Sequence, residues 1–183
     1  MTQAYVVTED QIGATLLKKL LPEEIVDQTT FVAGSGRYAA QSLSLSILGV
    51  KQQPVALVIN AGTEDGVAIQ EQYDFLRELL GQATSGTPFE IFAAVPEIEG
   101  VFFQEQVLFA QITGEQLNLV EWNAAKRHPK ETMARIAGGQ ADFPETLVNN
   151  LSAEAIALLR QHPLLRSLHT FLSSVVDTTV VYS

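Results

Sequence analysis

A chain of 183 residues with 46% hydrophobic side chains and a net charge of −10 is long enough to bury one proper core, and nothing forces a split into two domains. It holds no cysteine, which excludes disulfides, thiolate catalysis and zinc sites built on sulfur. No run of about 18 uncharged apolar residues occurs and no basic segment followed by an apolar one opens the chain, so no membrane partner is expected and the cytoplasm is the expected location.

The first hundred residues alternate strand and helix signals. Ala4-Tyr5-Val6-Val7 reads as a short strand, and Ile12, Leu16, Leu17, Leu20 and Leu21 then recur at helical spacing until Pro22. Thr29 to Ala33 is a second strand, after which Gly34-Ser35-Gly36 turns the chain into a helix with Ala39, Leu43 and Ile47 on one face. Pro54 to Asn60 contains almost nothing but apolar and β-favouring side chains and predicts a central strand covered on both faces. Ile69, Tyr73, Leu76 and Leu80 mark a third helix closed by Gly81, and Pro88 to Val95 is the fourth strand. Such alternation predicts an α/β fold, an open and mostly parallel sheet with helices on both faces.

Beyond residue 110 the pattern turns helical: Lys130 to Ile136, Ala153 to Arg160, and an apolar helix from Leu164 to Val176 after Pro163. Gly138-Gly139-Gln140 is expected to be a flexible joint, and Thr178 to Tyr182 a short edge strand or a frayed tail. Residues 1–110 are read as the α/β core and 111–183 as a helical extension packed on it, or completing a homodimer through Leu164, Leu165, Leu168, Phe171 and Leu172. The charge is uneven, with 14 acidic and 5 basic side chains in residues 1–110 against 7 and 6 in residues 111–183. The acidity repels phosphate backbones at long range. The one basic concentration, Lys126, Arg127, His128, Lys130 and Arg135, reads as a solvated helix face.

In an open α/β sheet, ligands and metals sit outside the carboxyl ends of the strands. The first strand ends in Thr8-Glu9-Asp10, carboxylates that serve equally as Mg²⁺ ligands, as a base, or as residues favoured at a helix start. The second ends in Gly34-Ser35-Gly36-Arg37, either a tight turn or a set of free amides beside an arginine that suits an anion. The third supplies Asn60, Gly62, Thr63, Glu64 and Asp65, the last two also placed to cap the next helix. The fourth is followed by Pro96, Glu97 and Glu99. The histidines, His128, His162 and His169, lack the spacing of a zinc helix, and no Gly-x-Ser-x-Gly elbow occurs.

The succession "VVTED … FVAGSGRYAA … PVALVINAGTED … AVPEIEGVFF … HPKETMARI" resembles the Toprim fold, and more closely uncharacterised Toprim-like families related to the overcoming-lysogenization-defect nucleases. The likeness spans about residues 4–136. It implies that Glu9 stands for the family's first glutamate, Asn60-Ala61-Gly62 for its Asp-x-Asp, Glu97 and Glu99 for the glutamates after the fourth strand, and Lys130 for a lysine beyond them. In active families these carboxylates hold Mg²⁺, which activates water or clamps a phosphodiester. Here an amide and a glycine replace the aspartates, so the resemblance implies a degenerate site with weak Mg²⁺ binding at best.

Two functions follow as expectations. The first is a non-catalytic module that binds a protein partner or a phosphorylated ligand. The second is a Mg²⁺-dependent phosphotransfer enzyme, a nuclease acting on nucleic acid, with Glu9, Asp65, Glu97 and Glu99 as catalytic or metal-binding residues and Glu9 with a shifted Glu64 or Asp65 rescuing the ion. A doubly wound domain unrelated to Toprim is the third reading.

Overall fold

The computed structural model describes residues 3–140 and 143–176. Four parallel strands, β1 (Ala4–Thr8), β2 (Thr29–Ala33), β3 (Val55–Asn60) and β4 (Phe89–Ala94), form one sheet in the order β2-β1-β3-β4. In register, Val6 lies opposite Phe31 on one side and Ala56 on the other, and Leu57 opposite Ile91. The chain moves from β1 outward to β2, crosses back to β3 and continues to β4. The direction of winding therefore reverses between β1 and β3, which makes the gap beyond their carboxyl ends the switch point where such sheets bind ligands.

The strand β3 carries the fold's centre. Val55 through Ile59 are all buried, and each valine, leucine and isoleucine among them contributes roughly 1.5–3 kcal/mol of transfer free energy. Side chains alternate between two layers. Val7, Val55, Leu57, Ile59 and Ile91 face a core shared with helices α3 (Arg37–Ser46) and α4 (Gly66–Gly81), together with a π-helical turn at Ile47–Lys51. Ala4, Val6, Ala56, Val58 and Phe92 face the larger core, built with α1 (Gln11–Leu20) and the C-terminal helices. Helices thus cover both faces.

Local chemistry sets the helix ends. Asp10 caps α1, accepting from the Gly13 amide at 2.9 Å, and Lys18 and Lys19 sit in its last turn, where cations favour the dipole. Asp65 caps α4 through the amides of Val67 and Ala68 at 2.8 and 3.1 Å. The buried side of α3 is Ala40, Gln41 and Ser44 followed by Ile47, whereas Ala39 and Leu43, the expected face, are only half-buried. The buried face is rotated by about one residue from the expected one, and Gly34 packs against the first turn of α3, where a Cβ would lie 2.7 Å from the Ala40 nitrogen.

Several elements exceed the sequence reading: a single turn α2 (Glu23–Val26), a 3₁₀ turn at Ile98–Phe102, and helices α5 (Gln106–Thr113), α6 (Leu119–Arg127) and α8 (Phe143–Asn149). The helix α7 (Pro129–Ala137) contains the expected Lys130–Ile136, and α9 (Ala153–Leu159) and α10 (Pro163–Val175) match their expected spans. Residue 110, the expected boundary between core and extension, lies inside α5, and residues on both sides of it share one hydrophobic cluster. Gly138 is the left-handed C-cap of α7, with φ of 58°. The stripe Leu164, Leu165, Leu168 and Leu172 is buried, α10 packing on β3, β4 and α2, so intramolecular docking covers the surface for which a homodimer was the alternative. The expected strand Thr178–Tyr182 lies outside the described residues. Among the described residues no helix is long and apolar enough to cross a membrane.

Candidate functional site

Glu9 leaves β1 at the switch point and Asn60 ends β3 beside it, so the two side chains meet: Asn60 Nδ2 lies 3.4 Å from Glu9 Oε2. The other Asn60 atom, Oδ1, accepts the Ile98 amide at 2.8 Å, which pins the turn after β4 to the end of β3. Gly62 donates its amide to the Pro96 carbonyl at 2.8 Å and adopts φ of +68°, while Ala61 donates to Ala94 at 2.8 Å. The ends of β3 and β4 are thereby stitched together by backbone and amide groups.

A side chain from α3 fills the centre of this arrangement. Arg37 Nε donates to Glu9 Oε1 at 2.7 Å, Nη1 to Gln72 Oε1 at 2.7 Å, and Nη2 to the Asn60 carbonyl oxygen. Gln72, from α4, also donates to the Ala61 carbonyl at 3.1 Å. The guanidinium fork thus spans the ends of β1 and β3 and uses its fixed geometry to satisfy three acceptors. The Glu9 side chain is 15% exposed and that of Arg37 31%, so the pair is largely desolvated and loss of either partner would strand a partly buried charge.

At Gly34, Gly36 and Arg37, where a tight turn and an anion site were the two readings, the polar groups are engaged within the chain. The Gly34 amide donates to the Thr8 carbonyl and the Gly36 amide to the Glu9 carbonyl, both at 2.8 Å, and Arg37 is committed to Glu9. These amides hold the ends of β1 and β2 together. Asp65 is exposed and caps α4, the second of its two expected roles, and no described contact joins it to Glu9.

A second cluster lies after β4. Glu97 Oε2 accepts the backbone amide of Lys130 at 3.0 Å, capping the first turn of α7 from a distant part of the chain. Lys130 Nζ reaches Asp10 Oδ2 at 3.5 Å rather than a glutamate after β4. Glu99 is 5% exposed, and its Oε2 has no hydrogen-bond partner. Burial pushes the Glu99 carboxyl above the ordinary glutamate range; a backbone hydrogen bond and the Lys130 ammonium oppose the rise, and Asp10 and Glu97 add to it. Lys126, Arg127, His128 and Arg135 are exposed, as a solvated face requires.

The raised proton affinity of Glu99 makes stability depend on pH. Below the unfolded value of 4.5 both states hold the proton; as pH rises from there through the folded value, the unfolded chain ionises first and stability falls. Replacing Glu99 by Gln is therefore expected to raise stability at pH 8 by about 1 kcal/mol and to change it little at pH 4, checked by urea unfolding at both values.

The sequence reading missed Gln72, which lies beside the helical stripe of Ile69, Tyr73 and Leu76 and is distinguished by no local pattern. Among the described residues, no group of three or more His, Asp or Glu side chains is arranged to hold a metal ion. The donor set at the switch point does not fit Mg²⁺, a hard cation that takes oxygen ligands. One carboxylate, already paired with a guanidinium, faces the nitrogen of an amide. Comparison with family models, curated proteins and solved structures finds no match.

Proposed function

We propose that the chain is a Toprim-like module with a degenerate metal site that works as a binding or regulatory protein. The observation that carries the reading is Arg37: its guanidinium bonds to Glu9 and to the end of β3, so a fixed cation stands where a divalent ion would have to be coordinated. Asn60 in place of an aspartate fits that arrangement, because a second carboxylate beside Glu9 would need a further positive charge. The switch point then serves as a rigid platform. Tyr38 and Val67, 86% and 70% exposed in the first turns of α3 and α4, stand at the same end of the sheet and offer apolar contact to a protein partner.

The alternative, a Mg²⁺-dependent nuclease using Glu9, Asp65, Glu97 and Glu99, draws support from the buried and unpartnered Glu99 carboxyl, a group with the raised proton affinity of a general acid. Against it stand the capping roles of Asp65 and Glu97. A cleavage assay on single- and double-stranded DNA and on RNA, with Mg²⁺ or Mn²⁺, separates the two. The binding reading expects no cleavage above buffer; divalent-dependent cleavage that disappears in Glu9→Ala establishes the enzyme.

A further inference from the structure

We propose that the outer edge of β2 is a self-association surface, on which a second copy of this chain adds its own β2 in antiparallel pairing. The two edges of the sheet are built differently. On β4 the residues facing outward are Phe89, Ile91 and Ala93, since Val55 donates to the Pro88 carbonyl and Ala61 to that of Ala94. Side chains close this edge: the Ile91 amide donates to Glu90 Oε1 at 3.1 Å and the Ala93 amide to Tyr73 Oη at 3.0 Å. Arg77 holds both caps, 3.5 Å from Glu90 and 5.3 Å above the Tyr73 ring. Covered in this way, the β4 edge resists strand addition.

On β2 the pattern is the reverse. The Gly34 amide donates to Thr8 and the Gln28 carbonyl accepts from Gln3, so the even-numbered residues face β1, and Thr29, Phe31 and Ala33 point their backbone groups outward. Among the described residues, none of those three amides has a partner on the outer side. The Thr29 hydroxyl is buried and likewise unpartnered. Five residues centred on Phe31 pair with themselves about a two-fold axis: Phe31 opposes its own copy and Thr29 opposes Ala33, each pair exchanging two hydrogen bonds.

Charge favours a second copy as the occupant. The chain carries −10, so two copies repel over most of their surfaces. The cleft of about 800 Å³ along β2 is locally neutral, lined by Lys18 and Lys19 together with Asp27 and Glu145, none of them in an ion pair within the described chain. Two such clefts facing each other are neutral in sum and offer each lysine a carboxylate. Because β4 is closed, pairing at β2 ends with the dimer instead of growing into a filament.

The test is sedimentation equilibrium up to millimolar protein, with hydrogen exchange read at the Phe31 and Ala33 amides. The native chain is expected to dimerise and to protect both amides as concentration rises. Ala33→Pro, which removes an outward N–H without touching the ladder to β1, is expected to be monomeric. Should that variant fail to fold, charge reversal decides: Lys18→Glu with Lys19→Glu, and separately Asp27→Lys with Glu145→Lys, are each expected to be monomeric alone and to form a heterodimer when mixed. A native chain that stays monomeric at millimolar concentration, a dimer indifferent to these changes, or protection that appears only when another protein is added would overturn the proposal.

Discussion

Leu168→Ala is expected to remove about 3 kcal/mol of stability, lowering the melting midpoint by roughly 6–12 °C. Leu168 has no exposed surface and sits in the stripe by which α10 closes the larger core against β3, β4 and α2. Its neighbour Phe171 meets Phe92 of β4 with ring centroids 6.0 Å apart, so the site cannot collapse around a missing isobutyl group without moving an aromatic pair. Arg160 fastens the preceding helix to the end of α1 through the carbonyls of Leu20 and Leu21. Residues past the expected boundary thus stabilise the sheet directly. Thermal and urea unfolding check the magnitude, and a loss under 1 kcal/mol would mean that α10 is peripheral to the core.

The second large effect belongs to Arg37. Arg37→Met keeps an apolar stem of similar length but leaves a half-buried Glu9 carboxylate, the Asn60 carbonyl and the Gln72 amide oxygen without their donor. Removing one partner of a desolvated pair costs more than the pair contributes, and a loss of about 2 kcal/mol is expected, below the range for fully buried pairs because Arg37 is partly exposed. Glu9→Gln alone is expected to cost less. The double variant is expected to be more stable than the sum of the single losses by about 1 kcal/mol, a coupling that unfolding measurements on the four proteins read directly. Strict additivity would mean that the ion pair carries no structural role.

What could be read from the residues was what repeats locally. The β3 run is apolar at every position because both of its faces are covered, and α1, α4 and α10 announce themselves by helical spacing over ten or more residues. Helices α5, α6 and α8 are short, and α6 buries only Trp122 and Ala125, which leaves its helical spacing sparse. The meeting of Glu9 with Asn60 followed from their places at strand ends. The meaning of the site did not, because its decisive contact joins residues 28 positions apart and its support, Gln72, another 35 from Arg37. Read locally, an arginine after a glycine turn suggests an anion; only the sheet order, with β1 beside β3, shows that the nearest anion is the chain's own carboxylate. Capping likewise decides the roles of Asp10, Asp65 and Glu97, and in Glu97 the capped helix lies more than 30 residues away.

The central claim, that a guanidinium has taken the position of a divalent ion, is tested most directly by calorimetric titration of Mg²⁺ into the native chain and into a variant carrying Arg37→Met, Asn60→Asp and Gly62→Asp. Gly62 has open space around its missing Cβ, but its φ of +68° makes aspartate there cost about 1–2 kcal/mol, so the variant is compared at a temperature where both proteins are folded. The native chain is expected to show no saturable binding, and the variant at least tenfold tighter binding that is lost when Glu9→Ala is added. Saturable Mg²⁺ binding by the native chain that depends on Glu9 would contradict the account.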